Sequence, residues 1–443
     1  MKLEEHPTVQ RYRAREGSEA AVEPLDAERL KALAIECGAD DVGLVELGRP
    51  DLAEEKAAAL GVFPAARTYL SLVCRLNPDN VRAIARGASD LEFHTGMEAV
   101  NAASHRLSIN LRGMGVRVMN PPAGFPMELG NWPEQMWTLS HKLVAIQAGL
   151  GKLGHHRLLV HGRFGAFVVL GTMLLDREVS AVDQPLDFDP CLECKLCVAA
   201  CPVGAIGKDG QFQFANCMTH NYRDRLAGFV DWAETLADSR GALDYRRRVG
   251  DAATVSMWQS LTCGVCNKSS YCMAVCPAGD DVVGQYVDDK AGFLRDVLKP
   301  LQGREETVYV LPGSDAEAHV RKRFPHKQVK RIGAGLRPRS IANFIEALPL
   351  TFQRGVAGDL DCTFHLIFSG DEEREATVVI RSGELRVDDG LVGEANVVVR
   401  ADSRTWLQFL GKERGIVGAL LTGKIRVKGP TARMKDFARC FPL

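Results

Sequence analysis

The chain has 443 residues, of which 46% are apolar and 25% charged, and this balance is typical of a folded protein rather than a disordered one. Its 55 basic and 56 acidic residues leave a net charge of −1, so no overall charge draws it to nucleic acid or acidic lipid. The most membrane-like stretch, residues 164–175, has 12 residues and is too short to span a bilayer. With no export signal evident at its start, we expect a cytoplasmic protein of two or three domains.

Residues 1–24 are expected to form an N-terminal arm, and regular patterns begin at residue 25. Helical spacing of apolar residues appears over 27–37, 96–112 and 134–150. Runs of apolar and branched residues predict strands at 42–47, 68–74, 116–119, 157–160 and 164–175. The mixture predicts an α/β or α+β first domain over residues 25–186, within an α+β multidomain chain.

The cysteines indicate the chemistry of the next segment, residues 187–300. Nine of the thirteen cysteines lie within 86 residues, and in a chain without a secretion signal such crowding favours metal binding over disulfides. Cys191, Cys194, Cys197 and Cys201 have the spacing C-x2-C-x2-C-x3-C-P, which is typical of bacterial ferredoxins with two [4Fe–4S] clusters. A zinc site, usually built from two separated pairs of ligands, fits this spacing poorly.

A second, less regular cysteine motif ends in the same C-x3-C-P signature at Cys276. In two-cluster ferredoxins the last cysteine of each motif binds the other cluster. One cluster would therefore take Cys191, Cys194, Cys197 and Cys276. The second would take Cys201 and three of the following: Cys217, Cys263, Cys266 and Cys272. Which of these is spare stays open.

Residues 301–339 are expected to be a basic linker, with eight Lys and Arg and no acidic residue in 319–339. This run could meet a phosphate-bearing ligand, an acidic electron donor or RNA, or pack as a solvated linker on acidic neighbours. Its one aromatic residue, Phe324, argues against an RNA-stacking surface. Residues 340–443 have the pattern of a separate α+β domain, with helices near 341–348, 405–410 and 417–421 and strands at 362–368, 376–381, 396–400 and 424–427.

Residues 148–160, AGLGKLGHHRLLV, precede the first cysteine motif. In this arrangement the chain resembles cobalamin-dependent reductive dehalogenases and epoxyqueuosine reductases over about residues 27–280. The resemblance implies a nitroreductase-like α/β domain that binds a corrinoid, cobalamin. It assigns corrinoid contacts to Gly149, Gly151, Lys152, Gly154, His155 and His156, and glycines would let the backbone approach a flat macrocycle. The alternative is a tight turn that binds nothing.

The same resemblance places an acidic proton donor just after Glu134, which makes Glu134 the first candidate for the catalytic acid and His141 the second. An apolar pocket lined by Trp132 and Trp137 would raise the pKa of the Glu134 carboxyl enough for proton donation at neutral pH. The alternative is that Glu134 occupies the first turn of the helix predicted over 134–150, where the helix dipole favours a carboxylate.

The last domain resembles the sterol carrier protein 2 (SCP2) family across about residues 340–443, through the stretches 341–352, 368–373, 401–403 and 422–429. Domains of that family enclose an apolar tunnel suited to acyl or sterol chains. The resemblance therefore suggests a lipid-binding tunnel lined by Trp406, Phe409, Leu410, Leu420 and Leu421. The alternative is that these side chains form a closed hydrophobic core.

These patterns predict an oxygen-sensitive oxidoreductase in which two [4Fe–4S] clusters pass electrons to a bound corrinoid for reductive chemistry. Its partners would be a low-potential donor, such as ferredoxin or flavodoxin, and a small-molecule substrate that could be lipid-like, with no nucleic acid and no membrane span. Three alternatives stay open. They are a corrinoid-reducing or corrinoid-handling protein, a ferredoxin-like electron carrier with a lipid-binding domain, and, by analogy, a tRNA-modifying enzyme.

Overall fold

The computed structural model describes residues 2–14, 23–264, 267–333 and 337–442. Residues 15–22 of the predicted arm lie outside the described residues, and the part before them contains a 3-10 turn at Leu3–Glu5 and an exposed helix. The elements that follow pack into the N-terminal region. In chain order from the arm onward the helices and strands are α1 (Pro7–Arg13), α2 (Ala27–Glu36), β1 (Asp41–Glu46), α3 (Ala53–Val62), β2 (Thr68–Arg75), α4 (Pro78–Arg82), α5 (Arg86–Gly113), β3 (Val118–Met119), α6 (His141–Gln147), β4 (Gly151–Leu153), β5 (Leu159–His161) and β6 (Val168–Leu175).

An antiparallel four-stranded sheet in the order β1-β2-β6-β3 forms the centre of this region. The central strand β2 is buried at every position except Arg75, because helices cover both faces of the sheet. Leu44 and Leu72 belong to a core shared with α2 and α5, whereas Val45 and Tyr69 belong to a core shared with α3 and α6. The region is therefore a three-layer sandwich.

Three predicted boundaries near the site are wrong. The helix predicted over 134–150 begins only at His141, because the Ser140 hydroxyl caps it by accepting a hydrogen bond from the Leu143 N–H at 3.4 Å. The strand predicted over 164–175 begins at Val168, because the backbones of residues 161 and 165 bond to each other in both directions and close a turn. The helix predicted over 96–112 runs further, from Arg86 to Gly113.

The cysteine segment consists of short helices joined by irregular loops. They are α7 (Leu196–Ala200), α8 (Phe214–His220), α9 (Ala227–Ala237), α10 (Ala242–Arg248), α11 (Asp251–Thr262), α12 (Tyr271–Ala274), α13 (Asp280–Asp288), α14 (Lys290–Phe293) and α15 (Lys299–Gly303), with a 3-10 turn at Arg223–Arg225 and a π-helical turn at Leu294–Leu298. A shared core joins this segment to the N-terminal region, since Leu76 and Phe167 pack with Leu196, Tyr271 and Phe293. The cysteine loops are thus held against the sandwich.

The expected linker over 301–339 is instead folded as far as residue 331. Strands β7 (Thr307–Val310) and β8 (Gln328–Arg331) pair in parallel, and α16 (Asp315–Arg323) crosses between them. Val308 and Val320 share a core with Cys201 and Val203, so this β–α–β unit packs directly on the cysteine segment. Arg321 and Arg331 both pair with Glu317, at 2.8 Å each, which explains how so basic a run folds.

The C-terminal region contains α17 (Ile341–Thr351), α18 (Arg354–Ala357), β9 (Cys362–Ser369), β10 (Arg374–Arg381), β11 (Glu384–Asp389), β12 (Val397–Asp402), α19 (Ser403–Leu410), α20 (Ile416–Leu421), β13 (Ile425–Lys428) and α21 (Thr431–Cys440). Its sheet has the order β11-β10-β9-β12-β13, and only the β9–β12 pair is parallel. Alternate residues of β9, Phe364, Leu366 and Phe368, face a core that includes residues of α17, α19 and α21. Sequence missed β11 and α21.

The five residues predicted to line a lipid tunnel do not share one environment. Trp406 and Leu410 are buried in the C-terminal core, and Phe409 packs on its edge. Leu420 and Leu421 are instead 45% and 84% exposed, so the prediction that they line an interior is wrong. The likeness to SCP2 and the division into domains stay predictions. Across the described parts of the chain, every helix is too short or too polar to cross a bilayer.

Candidate metal centre

Four cysteines from the two motifs border one small cavity of about 40 Å³: Cys191, Cys194, Cys197 and Cys276. Cys191 and Cys194 lie on one tight loop, in which Glu193 and Lys195 have the left-handed φ angles of 51° and 49°, and Cys197 lies at the start of the helix that follows it. Among the described residues, no group of three or more His, Cys, Asp or Glu side chains is placed to hold a single metal ion. Three thiols from one short segment and a fourth from a distant segment match the crossed ligation of a [4Fe–4S] cluster.

A local repeat of the backbone explains how the distant cysteine arrives. Helix α7 begins after Lys195 and helix α12 after Ser270, and both of these residues have φ near 50°. Each helix carries a cysteine at its second position, Cys197 or Cys272, and a Cys-Pro pair closes each segment. The two helices contact each other. The irregular spacing of the second motif therefore changes only the loop before α12, and the helix with its C-x3-C-P ending is kept.

Cys201, Cys217 and Cys272 form a second group of thiols beside the first. Burial raises the pKa of the Cys217 thiol well above its usual value, and the charges of Cys272 and Cys201 raise it further. Burial also raises the pKa of Cys272 to about 12, with Cys201 and then Cys197 as charged neighbours. The structure thus brings Cys217, which the sequence left as one of four candidates, next to two other predicted ligands. Because Cys197 belongs to the first group, the two groups are neighbours.

Two further cysteines were predicted as ligands in this part of the chain. Cys263 follows α11, is exposed, and has its sulfur 3.5 Å from the Thr262 hydroxyl. Cys266 lies outside the described residues. The fourth thiol of the second group therefore stays a prediction shared by Cys263 and Cys266.

Backbone N–H groups point at a sulfur in each group. The N–H of His155 donates to Cys191 Sγ at 3.2 Å, and the N–H of Ala205 donates to Cys201 Sγ at 3.3 Å. Such hydrogen bonds favour the thiolate over the thiol and tune the potential of a thiolate-bound cluster. Because burial raises the thiol pKa of Cys197 and Cys276 to about 12, binding of a metal cluster here would release protons.

His155 and His156 lie at the first cavity and not at a separate cobalt site. The His155 ring is held on both sides, with Nε2 2.7 Å from the Gly207 carbonyl and Nδ1 3.0 Å from Lys195 Nζ. His156 is buried, and its Nδ1 accepts a hydrogen bond from the Leu158 N–H at 3.1 Å. Burial lowers the pKa of His156 to about 4, so its ring is neutral at physiological pH. Both histidines thus form part of the wall around the cysteines.

The glycines assigned to a corrinoid pack against the chain itself. A Cβ on Gly149 would lie 2.6 Å from the Gln184 carbonyl oxygen, and one on Gly151 would lie 2.3 Å from the Val160 carbonyl oxygen. A Cβ on Gly154 would lie 2.8 Å from the His156 ring. Gly149 also ends α6 with φ +72°, as a helix C-terminal glycine does.

Lys152, the remaining predicted corrinoid contact, is 3.3 Å from Asp187 in an ion pair. Other atoms of the chain therefore already occupy the position that a side chain would take at each of the three glycines. The two histidines border the cysteine cavity. In this structure these six residues span the end of α6, strand β4 and the turn that follows it; they pack against the chain itself and do not fit a macrocycle.

The proposed apolar pocket around Glu134 is not formed. Glu134 is exposed in an irregular segment, so it occupies neither a pocket nor the first turn of a helix. Trp132 is buried, but Trp137 is 42% exposed. The Glu134 carboxylate accepts a hydrogen bond from Asn343 Nδ2 at 3.3 Å and lies beside Glu346, where it helps burial to raise the Glu346 pKa. Glu134 therefore faces helix α17 of the C-terminal region.

The other candidate acid, His141, has both ring nitrogens engaged. Its Nε2 lies 2.9 Å from the Pro122 carbonyl oxygen and its Nδ1 2.9 Å from the Thr172 hydroxyl. Because a carbonyl oxygen can only accept, Nε2 carries the proton and Nδ1 accepts from Thr172. Burial lowers the His141 pKa, which favours this neutral form. The ring ties α6 to the sheet, and a catalytic role for His141 stays a prediction.

Sequence reasoning missed two residues that the structure places at the cysteines. Lys142, in the first turn of α6, has Cys217 and Cys272 as charged neighbours, and its Nζ donates to the Arg157 carbonyl oxygen at 3.2 Å. Gly165 contacts the backbone of Ala278, two residues beyond Cys276. Neither has a local sequence signal, because each lies far along the chain from the cysteines it approaches.

Comparison with known proteins supports the metal chemistry for part of the chain. Residues 185–207 match a family described as a 4Fe-4S binding domain. An epoxyqueuosine reductase from Lactococcus garvieae is 34% identical over 82 residues, which is 18% of this chain and 23% of the relative. One from Bacillus anthracis is 28% identical over 120 residues, 24% of this chain and 31% of the relative. The chain thus spans about a quarter of the length of the curated relatives that it matches.

Solved structures give a weaker likeness. An epoxyqueuosine reductase from Streptococcus thermophilus aligns with 45% of this chain and 57% of its own at 18% identity and a TM-score of 0.32. A reductive dehalogenase described by a B12-dependent mechanism aligns with 43% of this chain and 27% of its own at 18% identity and a TM-score of 0.34. The chain therefore carries a 4Fe–4S binding domain and is related over part of its length to epoxyqueuosine reductases.

Proposed function

We propose that this protein is an iron–sulfur oxidoreductase that relays electrons through two adjacent [4Fe–4S] clusters. The observation that carries the proposal is that Cys276 borders the same cavity as Cys191, Cys194 and Cys197. That combination of a compact motif and one distant cysteine is the crossed ligation of two-cluster ferredoxins. The matched 4Fe-4S binding domain, residues 185–207, includes Cys191, Cys194 and Cys197 and supports them as ligands.

The second cluster is proposed on Cys201, Cys217 and Cys272, with a fourth thiolate from Cys263 or Cys266. Mutual charge effects among the first three thiols support this grouping. The proximity of Cys197 to Cys272 supports direct electron transfer between the clusters. Lys142 adds a positive charge beside the second group of cysteines. This charge would favour the reduced, more negatively charged state of the second cluster.

We propose that a low-potential ferredoxin or flavodoxin supplies the electrons in the cytoplasm, where thiolate ligands stay reduced. The partial relationship to epoxyqueuosine reductases would imply a corrinoid as the electron acceptor, whose cobalt would supply reductive chemistry. The six residues expected to contact a corrinoid are packed against the chain, however, so the proposed relay ends at the clusters. The structure favours the electron carrier among the alternatives for that reason.

Iron content of variants tests the ligand assignment. Protein reconstituted anaerobically should hold about eight iron atoms per chain, and Cys217→Ser should lower this to about four, because one of two four-iron clusters is lost. Cys74→Ser is the matched control: this buried thiol lies in the N-terminal core, and its loss should leave iron unchanged. A Cys217→Ser protein with undiminished iron would contradict the second site.

A binding experiment tests the end of the relay. Reconstituted protein is incubated with cobalamin, passed through a desalting column, and examined for the corrinoid absorption spectrum. The carrier proposal expects iron without retained corrinoid. Retention of one cobalamin per chain would instead support the corrinoid-dependent enzyme or the corrinoid-handling protein, and turnover of a substrate would distinguish these two.

A further inference from the structure

A second cavity, of about 340 Å³, opens between the helices α9 to α11 and the β7–β8 pair. Five basic side chains line it: Arg223, Arg248, Lys268, Lys330 and Arg331. They come from four separate parts of the chain, and the last two belong to the basic run that the sequence analysis singled out. We call it the basic cavity. The proposed electron relay does not use it.

Most of these basic groups already have carboxylate partners. Arg223 pairs with Asp231 at 3.0 Å, and Lys268 pairs with Asp224 at 2.7 Å. Arg248 and Arg331 pair with the carboxylates of Asp244 and Glu317. The charges left over within the cavity therefore decide whether it can attract an anion.

Two donors remain unused. The Lys330 side chain is half-buried beside Arg223 and Asp231, and its Nζ has no hydrogen bond or ion pair within the described parts of the chain. Arg223 is only 6% exposed, and its Nη1 atom is buried without a hydrogen-bond partner among those same residues. A buried guanidinium N–H without an acceptor costs free energy, and an anion that accepts from it would remove that cost.

The walls add a preference for the kind of anion. The Arg223 guanidinium stacks on the Tyr309 ring at 4.4 Å, which fixes the plane of its donors. A guanidinium held in this way suits the oxygens of a phosphate better than a single-atom anion. Trp232 lines the same cavity and offers an apolar face to a group attached to the phosphate.

We propose that the basic cavity binds a small phosphate-bearing molecule, with Lys330 and Arg223 as its contacts to the phosphate. The site lies near the second group of cysteines, because Tyr222, the residue before Arg223, has Cys217 and Cys272 as charged neighbours. Arg223 lies six residues after Cys217, and Lys268 lies four residues before Cys272. A bound anion would therefore place negative charge near the second cluster.

Titration calorimetry of the full chain, reconstituted with its clusters, tests the proposal with inorganic phosphate and AMP as probes. Binding of either probe should saturate at one molecule per chain. Lys330→Gln should weaken it about tenfold, because one charge-assisted contact is lost. Lys330 has no ion pair to lose, so this variant should keep the melting temperature and iron content of the parent protein.

The matched control is Lys322→Gln. It removes the same charge from the same basic run, but Lys322 is exposed on α16 and does not line the cavity. Its phosphate affinity should equal that of the parent. Equal weakening by the two variants would show diffuse surface attraction and overturn the proposal, as would the absence of saturable binding by both probes at millimolar concentration.

Discussion

A methyl group at residue 165 should displace the last ligand of the first cluster. Gly165 has φ +62°, and a Cβ built there would lie 1.7 Å from the carbonyl oxygen of Ala278. Ala278 follows Cys276 by two residues, and the Asp280 N–H donates to the Arg163 carbonyl at 2.8 Å. The loop of residues 161–165 is therefore the surface against which the Cys276 segment is held.

The size of the effect follows from these distances. Real Cβ atoms essentially never approach closer than 3.0 Å, so one backbone segment must move by about 1.3 Å, the difference from 1.7 Å. Since the three nearest atoms, two of Ala278 and one of Gly279, all belong to the backbone, no change of side-chain rotamer relieves the overlap. The left-handed backbone adds about 1–2 kcal/mol for alanine, and overpacking about 1–3 kcal/mol. A gain of about 0.4–1 kcal/mol from the stiffer unfolded chain opposes them.

Gly165→Ala should therefore lose about 1–5 kcal/mol of stability, which lowers the melting temperature by about 2–20 °C for a region of about 150–250 residues. It should also bind less iron, because Cys276 is pulled away from the other three ligands. Anaerobic reconstitution with iron analysis, followed by thermal unfolding, measures both effects.

Gly162→Ala in the same loop is the control, since its Cβ would meet only the Leu186 Cδ1 atom at 3.9 Å, an ordinary contact. If Gly165→Ala matched this control in iron content and melting temperature, the packing of the loop on the Cys276 segment would be refuted.

Two further predictions concern stability away from this loop. Burial lowers the pKa of His220 to about 4, with Glu306 opposing the shift and three cations adding to it, Lys268, Lys327 and Arg304. Because the unfolded chain binds a proton near pH 6.5 and the folded chain only near pH 4, the free energy of unfolding falls as the pH is lowered through this window, by about 1 kcal/mol between pH 7.0 and 5.5. His220→Asn should remove that loss, as measured by the midpoints of urea unfolding at the two pH values. An unchanged loss in the variant would contradict the assignment to His220. Trp406 packs edge-on against Phe344 and Phe368, with ring centroids 5.4 and 5.6 Å apart. Trp406→Ala should therefore lower the stability of the C-terminal region by about 3–5 kcal/mol, seen as faster proteolysis of that region. The iron content should not change, because the hydrophobic core of the C-terminal region is separate from that of the cysteine segment. Concurrent loss of iron would show that the two regions are coupled.

Several parts of the fold were predictable because their signals are local. The strands over 42–47, 68–74 and 362–368 match the observed β1, β2 and β9 within a residue or so, since runs of branched and aromatic residues favour strands wherever one or both faces are buried. The start of α17 was predictable as well, because Ser340 caps it by accepting from the Asn343 N–H. The helix predicted over 134–150 was wrong at its start because the helical pattern of apolar residues continues upstream of the true N-terminus. Ser140 caps the helix there, and the Ser140 N–H donates to the Glu55 carboxylate at 2.7 Å.

At the metal centre, the amino-acid sequence alone determined the chemistry, because thiols at two- and three-residue intervals in one short segment already match a cluster. Tertiary structure alone decided which distant groups join them. It placed Cys217 beside Cys272, His155 and His156 at the cysteine cavity and Glu134 against α17, and it folded the basic run around a cavity. Such contacts join positions tens or hundreds of residues apart, and they arise from the packing of whole layers, for which no local pattern carries a signal.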